Sequence, residues 1–170
     1  MLMGFKDLFY LFTGFTKSHK EDQGSLIFLV FGVLLISAVS FVEWYFMHKG
    51  FTLVSYLGII VALIGFFIRW FGAIILKHQY LQFSVIERRK LVTQGLYSKI
   101  RHPCYLGVFI ALFGIAMFFS SWAGLLIHLF VIFPLGLRRI SNVEAKLSEH
   151  FGNSYKKYMK DTKKLIPGIY

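Results

Sequence analysis

Apolar residues run almost unbroken from 25 to 46 and again from about 52 to 76. At about 1.5 Å of rise per helical residue, either run is long enough for a hydrocarbon core of about 30 Å. Glu43, Trp44 and Tyr45 close the first run, where an interfacial aromatic belt belongs. A short polar turn at residues 48–50 separates the two runs. The second carries one charge, Arg69, and ends at Lys77 and His78. A third apolar stretch, from Tyr105 to Leu137, is long for one crossing and breaks near Ser120, Ser121 and Trp122. It predicts a tight helical hairpin, with a kink or thinning in its second arm at Pro134 and Gly136.

The polar pieces between these runs complete the outline. Leu2, Phe5, Leu8, Phe9 and Phe12 fall at helical spacing, with Lys6, Asp7 and Thr13 elsewhere on the wheel. This reads as a short amphipathic helix lying in the membrane interface, not a secretory signal, because Lys6 and Asp7 break the apolar run early. Residues 77–103 form a basic connection expected to be partly helical. The tail from Arg138 is polar and mostly helical, with an apolar stripe of Val143, Leu147, Phe151, Tyr155 and Tyr158 that is expected to lie on the protein or on the membrane surface. The fold class that follows is an all-α integral membrane protein. It has about four transmembrane helices including a hairpin, an N-terminal interfacial helix and a C-terminal cytosolic helix. Residues 1–24 form the interfacial segment, 25–76 two spanning helices and 77–170 a third unit of basic connection, membrane hairpin and C-terminal helix.

Composition agrees with the pattern. Hydrophobic residues make up 56% of the 170, with 20 Phe, more apolar surface than a soluble fold of this length hides. The net charge of +11 would suggest nucleic acid on a soluble chain, but no basic, aromatic-studded soluble module is present, so none is expected. Of the 19 Lys and Arg, 17 fall in residues 1–24, 77–103 and 138–170; Lys49 and Arg69 make up the remainder. That asymmetry predicts both termini and the long connection on the cytoplasmic side.

A hairpin returns the chain to the side it left, so the two segments flanking it must meet at the cytoplasmic surface. The first, residues 91–107, reads LVTQGLYSKIRHPCYLG; the second, 139–152, reads RISNVEAKLSEHFG. Gly95 permits a tight turn, and Pro103 keeps His102 extended, so irregular backbone stands just before a membrane helix. Such backbone is tolerated at that depth where it lines a cavity or is buried in protein. Its N–H and C=O groups suit the amino-acid end of a cofactor, and Tyr97, His102 and Tyr105 add polar edges and flat faces for a carboxylate and an adenine. Arg139 offers a bidentate clamp for a carboxylate or phosphate, and Glu144 follows five residues later on a neighbouring face of the same helix.

Taken together, Leu-Val-Thr-x-Gly-x-Tyr, Arg-His-Pro-x-Tyr-x-Gly, an apolar hairpin, then Arg and Glu-x-x-Leu-x-x-x-Phe-Gly-x-x-Tyr-x-x-Tyr resemble the isoprenylcysteine carboxyl methyltransferase family and its bacterial phospholipid methyltransferase-like relatives. The likeness covers about residues 90–168. It implies a helical membrane bundle with a cytosolic pocket for S-adenosylmethionine and a lateral opening for a lipid-like or small apolar acceptor. Carried over, Lys90, Leu91, Val92, Tyr97, His102, Pro103, Cys104 and Tyr105 wall the cofactor, while Arg139 and Glu144 are catalytic, Arg139 holding the acceptor's anionic group. The family usually places two adjacent glutamates after that arginine; this chain has Val143 in the first position.

The implied activity is methyl transfer from S-adenosylmethionine to a lipid-like carboxylate such as isoprenylcysteine. A phospholipid amine and a small thiol are the alternative acceptors. An NADPH-dependent reductase of sterol-reductase type and a non-catalytic membrane subunit are the rival classes. A carboxylate acceptor needs no base, whereas an amine must shed a proton, for which Glu144 or His102 is available. No metal is expected, because His19, His48, His78, His128 and His150 lack ligand spacing. Cys104 reads as a small apolar filler and His102 as structural or cofactor-stacking. Arg69, inside a span, either faces a cavity or snorkels to the surface.

Overall fold

The computed structural model describes residues 23–48, 50–82 and 91–166. The amphipathic segment expected at residues 2–16 lies outside them, as do Lys49 and Lys90. The described residues are helical throughout, joined by turns. Helix α1 spans Gln23–Phe46, α2 Leu53–Gln82, and a 3₁₀ turn covers Gly95–Ser98. Then come α3 (Pro103–Phe118), α4 (Trp122–Ile127), a π turn (His128–Ile132), α5 (Phe133–Phe151) and α6 (Asn153–Asp161).

Two of these helices are long and apolar enough to cross a membrane: Leu53–Leu76 within α2, and the continuous run Trp122–Phe151 through α4, the π turn and α5. Val30–Phe46 in α1 and Pro103–Phe118, which is α3, are apolar but shorter. Burial runs opposite to that of a water-soluble fold. Phe31 and Leu34 on α1 are both 62% exposed, while Ser40 and Ser55 are buried. Large apolar side chains facing outward and small or polar ones facing inward suit a hydrocarbon surround.

The tightest packing joins α2 to α3. Gly58, Gly65 and Gly72 repeat every seven residues on α2, and Gly107 and Gly114 do the same on α3. A Cβ at Gly65 would sit 2.3 Å from the Ala111 nitrogen, and one at Gly114 2.3 Å from the Ala62 nitrogen. The two backbones therefore touch directly. A seven-residue repeat keeps one seam of each helix facing the other over several turns, the arrangement by which small residues hold membrane helices together without a hydrophobic driving force. On its other side α3 packs through Val108, Leu112 and Ala116 against Ile36 of α1 and Ile132 of the π turn.

The hairpin breaks where the pattern predicts. α3 ends at Phe118, Ser120 takes φ +49°, and α4 starts at Trp122. Its start is capped by a residue from another helix. The Glu43 carboxylate accepts from Ser121 Oγ at 2.7 Å and from the Ala123 nitrogen at 3.0 Å. A carboxylate at the positive end of a helix is favourable, so Glu43 fastens α1 to the start of α4, where Ser121 Oγ in turn accepts from the Gly124 nitrogen at 2.9 Å. The expected irregularity before Pro134 takes the form of the π turn. Proline offers no N–H to the carbonyl one turn back, and the ladder widens to accommodate it.

Trp122–Phe151 is 30 residues, about 45 Å long, so its polar part from Arg138 onward projects beyond the apolar part. The tail stripe is interrupted: α5 ends at Phe151, Gly152 adopts φ +55°, and α6 carries Tyr155 and Tyr158 inward, where both are buried.

Candidate functional site

The connection before α3 is strapped to the end of the chain. Ile100 and Lys163 form a parallel bridge. The Arg101 nitrogen donates to the Lys163 carbonyl at 2.8 Å, and the His102 nitrogen to the Lys164 carbonyl at 3.1 Å. Tyr158 Oη donates to the Tyr97 carbonyl at 2.6 Å, fixing the 3₁₀ turn from the same direction. This arrangement leaves Arg101 and His102 pointing at α5, where Glu144 meets them.

Glu144 is the hub. Its Oε1 lies 2.7 Å from Arg101 Nε and 3.2 Å from His102 Nε2, and its Oε2 lies 3.4 Å from Lys164 Nζ. Arg101 Nη1 also donates to the Met159 carbonyl at 3.1 Å and to the Thr162 carbonyl. Burial pushes the Glu144 carboxyl up, but hydrogen bonds from His102 and Arg101, with the Arg101 and His102 charges, outweigh it and hold the group down to about 2. Beside it, burial first and the Glu144 charge second push the Tyr155 hydroxyl up. The hub is thus a fixed, ionised carboxylate in a cationic socket.

The residues expected to wall a cofactor divide by exposure. Tyr97, His102 and Pro103 are buried, with Tyr97 Oη 3.4 Å from Cys104 Sγ and His102 engaged with Glu144. Leu91, Val92, Cys104 and Tyr105 are half-buried, with Cys104 Sγ turned to α2, 3.8 Å from the Arg69 carbonyl oxygen. No backbone hydrogen bond ties residues 91–93 to the described remainder. Arg139 is half-buried on α5, whereas its neighbour Arg138 is exposed. Arg101 and Lys164 escaped the sequence reading as site residues. The signal for Arg101 was its place in Arg-His-Pro; Lys164 carried none, because only the folded tail brings it to α5.

Below the hub, a groove of about 320 Å³ runs along α3. Leu106, Phe109, Ile110 and Phe113 form its floor at helical spacing; Val61 of α2 stands on one side and His128 and Phe133 on the other, with Leu165 and Ile166 at the tail end. Leu106 follows Tyr105 and Leu165 follows Lys164, so one end of the groove adjoins the hub. Phe113, at the other end, is exposed to the surround of the helices. The arrangement offers an anchored carboxylate and cations at the polar end and an apolar slot open to the side.

Comparison with known proteins adds independent findings. Residues 53–154 match the family described as phospholipid methyltransferase. The chain is similar to the protein-S-isoprenylcysteine O-methyltransferase of Schizosaccharomyces pombe, 38% identical over 79 residues, covering 46% of this chain and 34% of that protein. It is similar to the protein of the same name from Dictyostelium discoideum, 32% identical over 143 residues, covering 81% of this chain and 60% of that one. A probable protein-S-isoprenylcysteine O-methyltransferase of Oryza sativa subsp. indica is 26% identical over 124 residues, covering 71% of this chain and 65% of that protein. The chain thus spans between a third and two thirds of the length of these curated relatives.

Proposed function

The chain belongs to the phospholipid methyltransferase family, and from that premise we propose that it is a membrane-embedded methyltransferase that uses S-adenosylmethionine to methylate the carboxylate of a lipid-like acceptor of the isoprenylcysteine type. The observation that carries the choice of acceptor is the state of Glu144. Its carboxyl, held down to about 2 by His102 and Arg101, is a poor proton acceptor at neutral pH. His102 Nε2 is engaged with the same carboxylate at 3.2 Å. An amine acceptor has to lose a proton to become a nucleophile, and of the two candidate bases Glu144 is committed as an ionised acceptor in its cationic socket while His102 spends Nε2 on the same carboxylate. A carboxylate acceptor is a nucleophile as it stands.

The half-buried Leu91, Val92 and Tyr105, with a backbone at residues 91–93 that makes no hydrogen bond to backbone among the described residues, fit a ligand with a flat apolar base and an amino-acid end. When bound, the cofactor supplies an electrophilic methyl on a sulfonium that carries its own leaving group. The protein's work is alignment and exclusion of water. Tyr97, Pro103 and His102, buried behind the mouth, hold its wall in place. Arg139 grips the acceptor's carboxylate, and its half-burial beside exposed Arg138 supports that role over a plain helix-end anchor. The lateral groove takes the acceptor's hydrocarbon chain. Four crossings, with both termini and the site on the cytoplasmic side, accord with the confinement of 17 of 19 Lys and Arg to residues 1–24, 77–103 and 138–170.

The test is transfer of label from methyl-labelled S-adenosylmethionine, by the purified protein in lipid, to a panel of a prenylcysteine, an aminophospholipid and a small thiol. Label in the prenylcysteine at well above the other two is expected. Label confined to the amine or the thiol, or in none of the three, overturns the proposal.

A further inference from the structure

His128 is a polar residue in a place that supplies it nothing. It opens the π turn between α4 and α5, it is 6% exposed, and its Nδ1 has no hydrogen-bond partner among the described residues. Its ring lies 6.3 Å from that of Phe109 and 6.1 Å from that of Phe113, and it lines the lateral groove. Every other residue lining that groove is apolar. Burying an imidazole without partners costs free energy that a leucine in the same place would not cost. A neutral imidazole still has one N–H to donate; Nδ1 is shut inside the protein, so Nε2 is the nitrogen that can present it, and the groove's occupant is what it can be donated to.

Depth says which part of the occupant that is. His128 and Arg139 lie eleven residues apart on one continuous helix, about 16 Å at 1.5 Å per residue. An acceptor whose carboxylate sits on Arg139 reaches that depth with its chain alone, because the carboxyl-to-thioether span of a prenylcysteine is only a few ångströms. A saturated chain offers an N–H nothing. An unsaturated chain offers the π face of a double bond, and isoprenoid chains carry one in every unit, so one falls within reach at any register.

We infer that His128 is a specificity-determining residue: its imidazole N–H donates to a carbon–carbon double bond in the acceptor's chain, so that the groove selects an unsaturated, isoprenoid-type chain over a saturated chain of equal length. The inference rests on the reading that the groove holds the acceptor's chain, and it goes beyond it by assigning the residue that reads the chain's chemistry.

The experiment compares farnesylcysteine with its fully saturated counterpart in two readouts: methyl transfer, and thermal stabilisation of the purified protein in micelles at equal ligand concentration. Wild type is expected to favour the unsaturated acceptor about 2- to 5-fold in catalytic efficiency, the scale of a weak N–H···π contact, and to be stabilised more by it. The preference should fall to about one in His128→Leu and persist in His128→Gln, which keeps an N–H donor. Equal treatment of the two acceptors by wild type overturns the inference, as does a preference that survives in His128→Leu or stabilisation by neither ligand. If neither acceptor is methylated, yet the unsaturated one stabilises more and His128→Leu abolishes the difference, the role of His128 stands and the assigned reaction falls.

Discussion

Arg101 Nε lies 2.7 Å from Glu144 Oε1, although a complete helical hairpin separates the two residues in the chain. The pair closes the hairpin at its polar end as Glu43 does at the other end, through Ser121. Both side chains of the pair are 8% exposed, so protein partners and not water solvate them. Removing Arg101 takes the shortest ion pair from the buried Glu144 charge and leaves it His102 and Lys164, so the cost stays below the roughly 3–5 kcal/mol of a fully uncompensated buried charge. Arg101→Ala is expected to lose about 1–3 kcal/mol in unfolding titrations in mixed micelles. Arg101→Ala combined with Glu144→Gln should lose clearly less than the sum of the single losses, because the second change removes the stranded charge.

Stability should depend on acidity through the same carboxylate. Glu144 sits at about 2 in the folded chain against an ordinary value of 4.5. A group whose value is depressed by folding contributes stability that is complete above the ordinary value and is lost as pH falls towards the folded one. The melting temperature is therefore expected to decline more steeply between pH 4.5 and about 2 in wild type than in Glu144→Gln. Identical slopes in the two proteins would show that the carboxylate is not held down.

The α2–α3 seam makes a separate demand. A Cβ at Gly65 would lie 2.3 Å from the Ala111 nitrogen and 2.6 Å from the Gly107 carbonyl oxygen, and backbone cannot step aside as a side chain does. Gly65→Leu is expected to force the helices apart and cost at least the 1–3 kcal/mol, roughly, of an overpacked core. The same change at Gly50, where an added Cβ meets nothing within 4 Å, serves as the control.

Arg139 and Arg138 are adjacent and equally charged, so they separate a clamp from an anchor. Arg139→Lys keeps the charge but loses the planar fork, and is expected to lower catalytic efficiency about 10- to 100-fold, the worth of a charge-assisted hydrogen bond, while cofactor affinity barely moves. Arg138→Lys should change little. Equal small effects would make Arg139 an anchor, and a lost cofactor affinity would move it to the other half of the site.

The helices and the convergence of the two polar segments were legible because hydrophobic runs, turn residues and a returning hairpin are local or topological facts. The break at Ser120 and Ser121 was written in the sequence, and so was the disturbance before Pro134, though not its form as a π turn. The glycine repeat at 58, 65 and 72 was also visible but drew no inference, because small residues signal only when the partner helix is known. Glu43 read as a belt residue, since nothing in the chain says that a helix 78 residues away will start against it. His102 read as structural or as a wall for a ligand, and Arg101 carried no reading of its own. That both turn inward on Glu144 depends on the pairing of residues 100–102 with 163 and 164, a contact between distant segments that has no periodic trace. The tail stripe was legible as well, since Val143, Leu147, Phe151, Tyr155 and Tyr158 all turn to the half-buried or buried side; the break inside it was not, because Gly152 at φ +55° ends one helix and begins another without disturbing the spacing of apolar residues.

The claim that the acceptor is a carboxylate is tested most directly by the bond that the methyl group ends up in. A methyl ester releases its label as volatile methanol in mild alkali, whereas a methylated amine or thioether does not. Product made from methyl-labelled S-adenosylmethionine and a prenylcysteine acceptor is expected to lose essentially all its label to the vapour phase after alkali, and to form at a rate that does not rise as an amine deprotonates. Label that stays with the lipid after alkali would contradict the account, because the methyl would then sit on nitrogen or sulfur and not on the carboxylate.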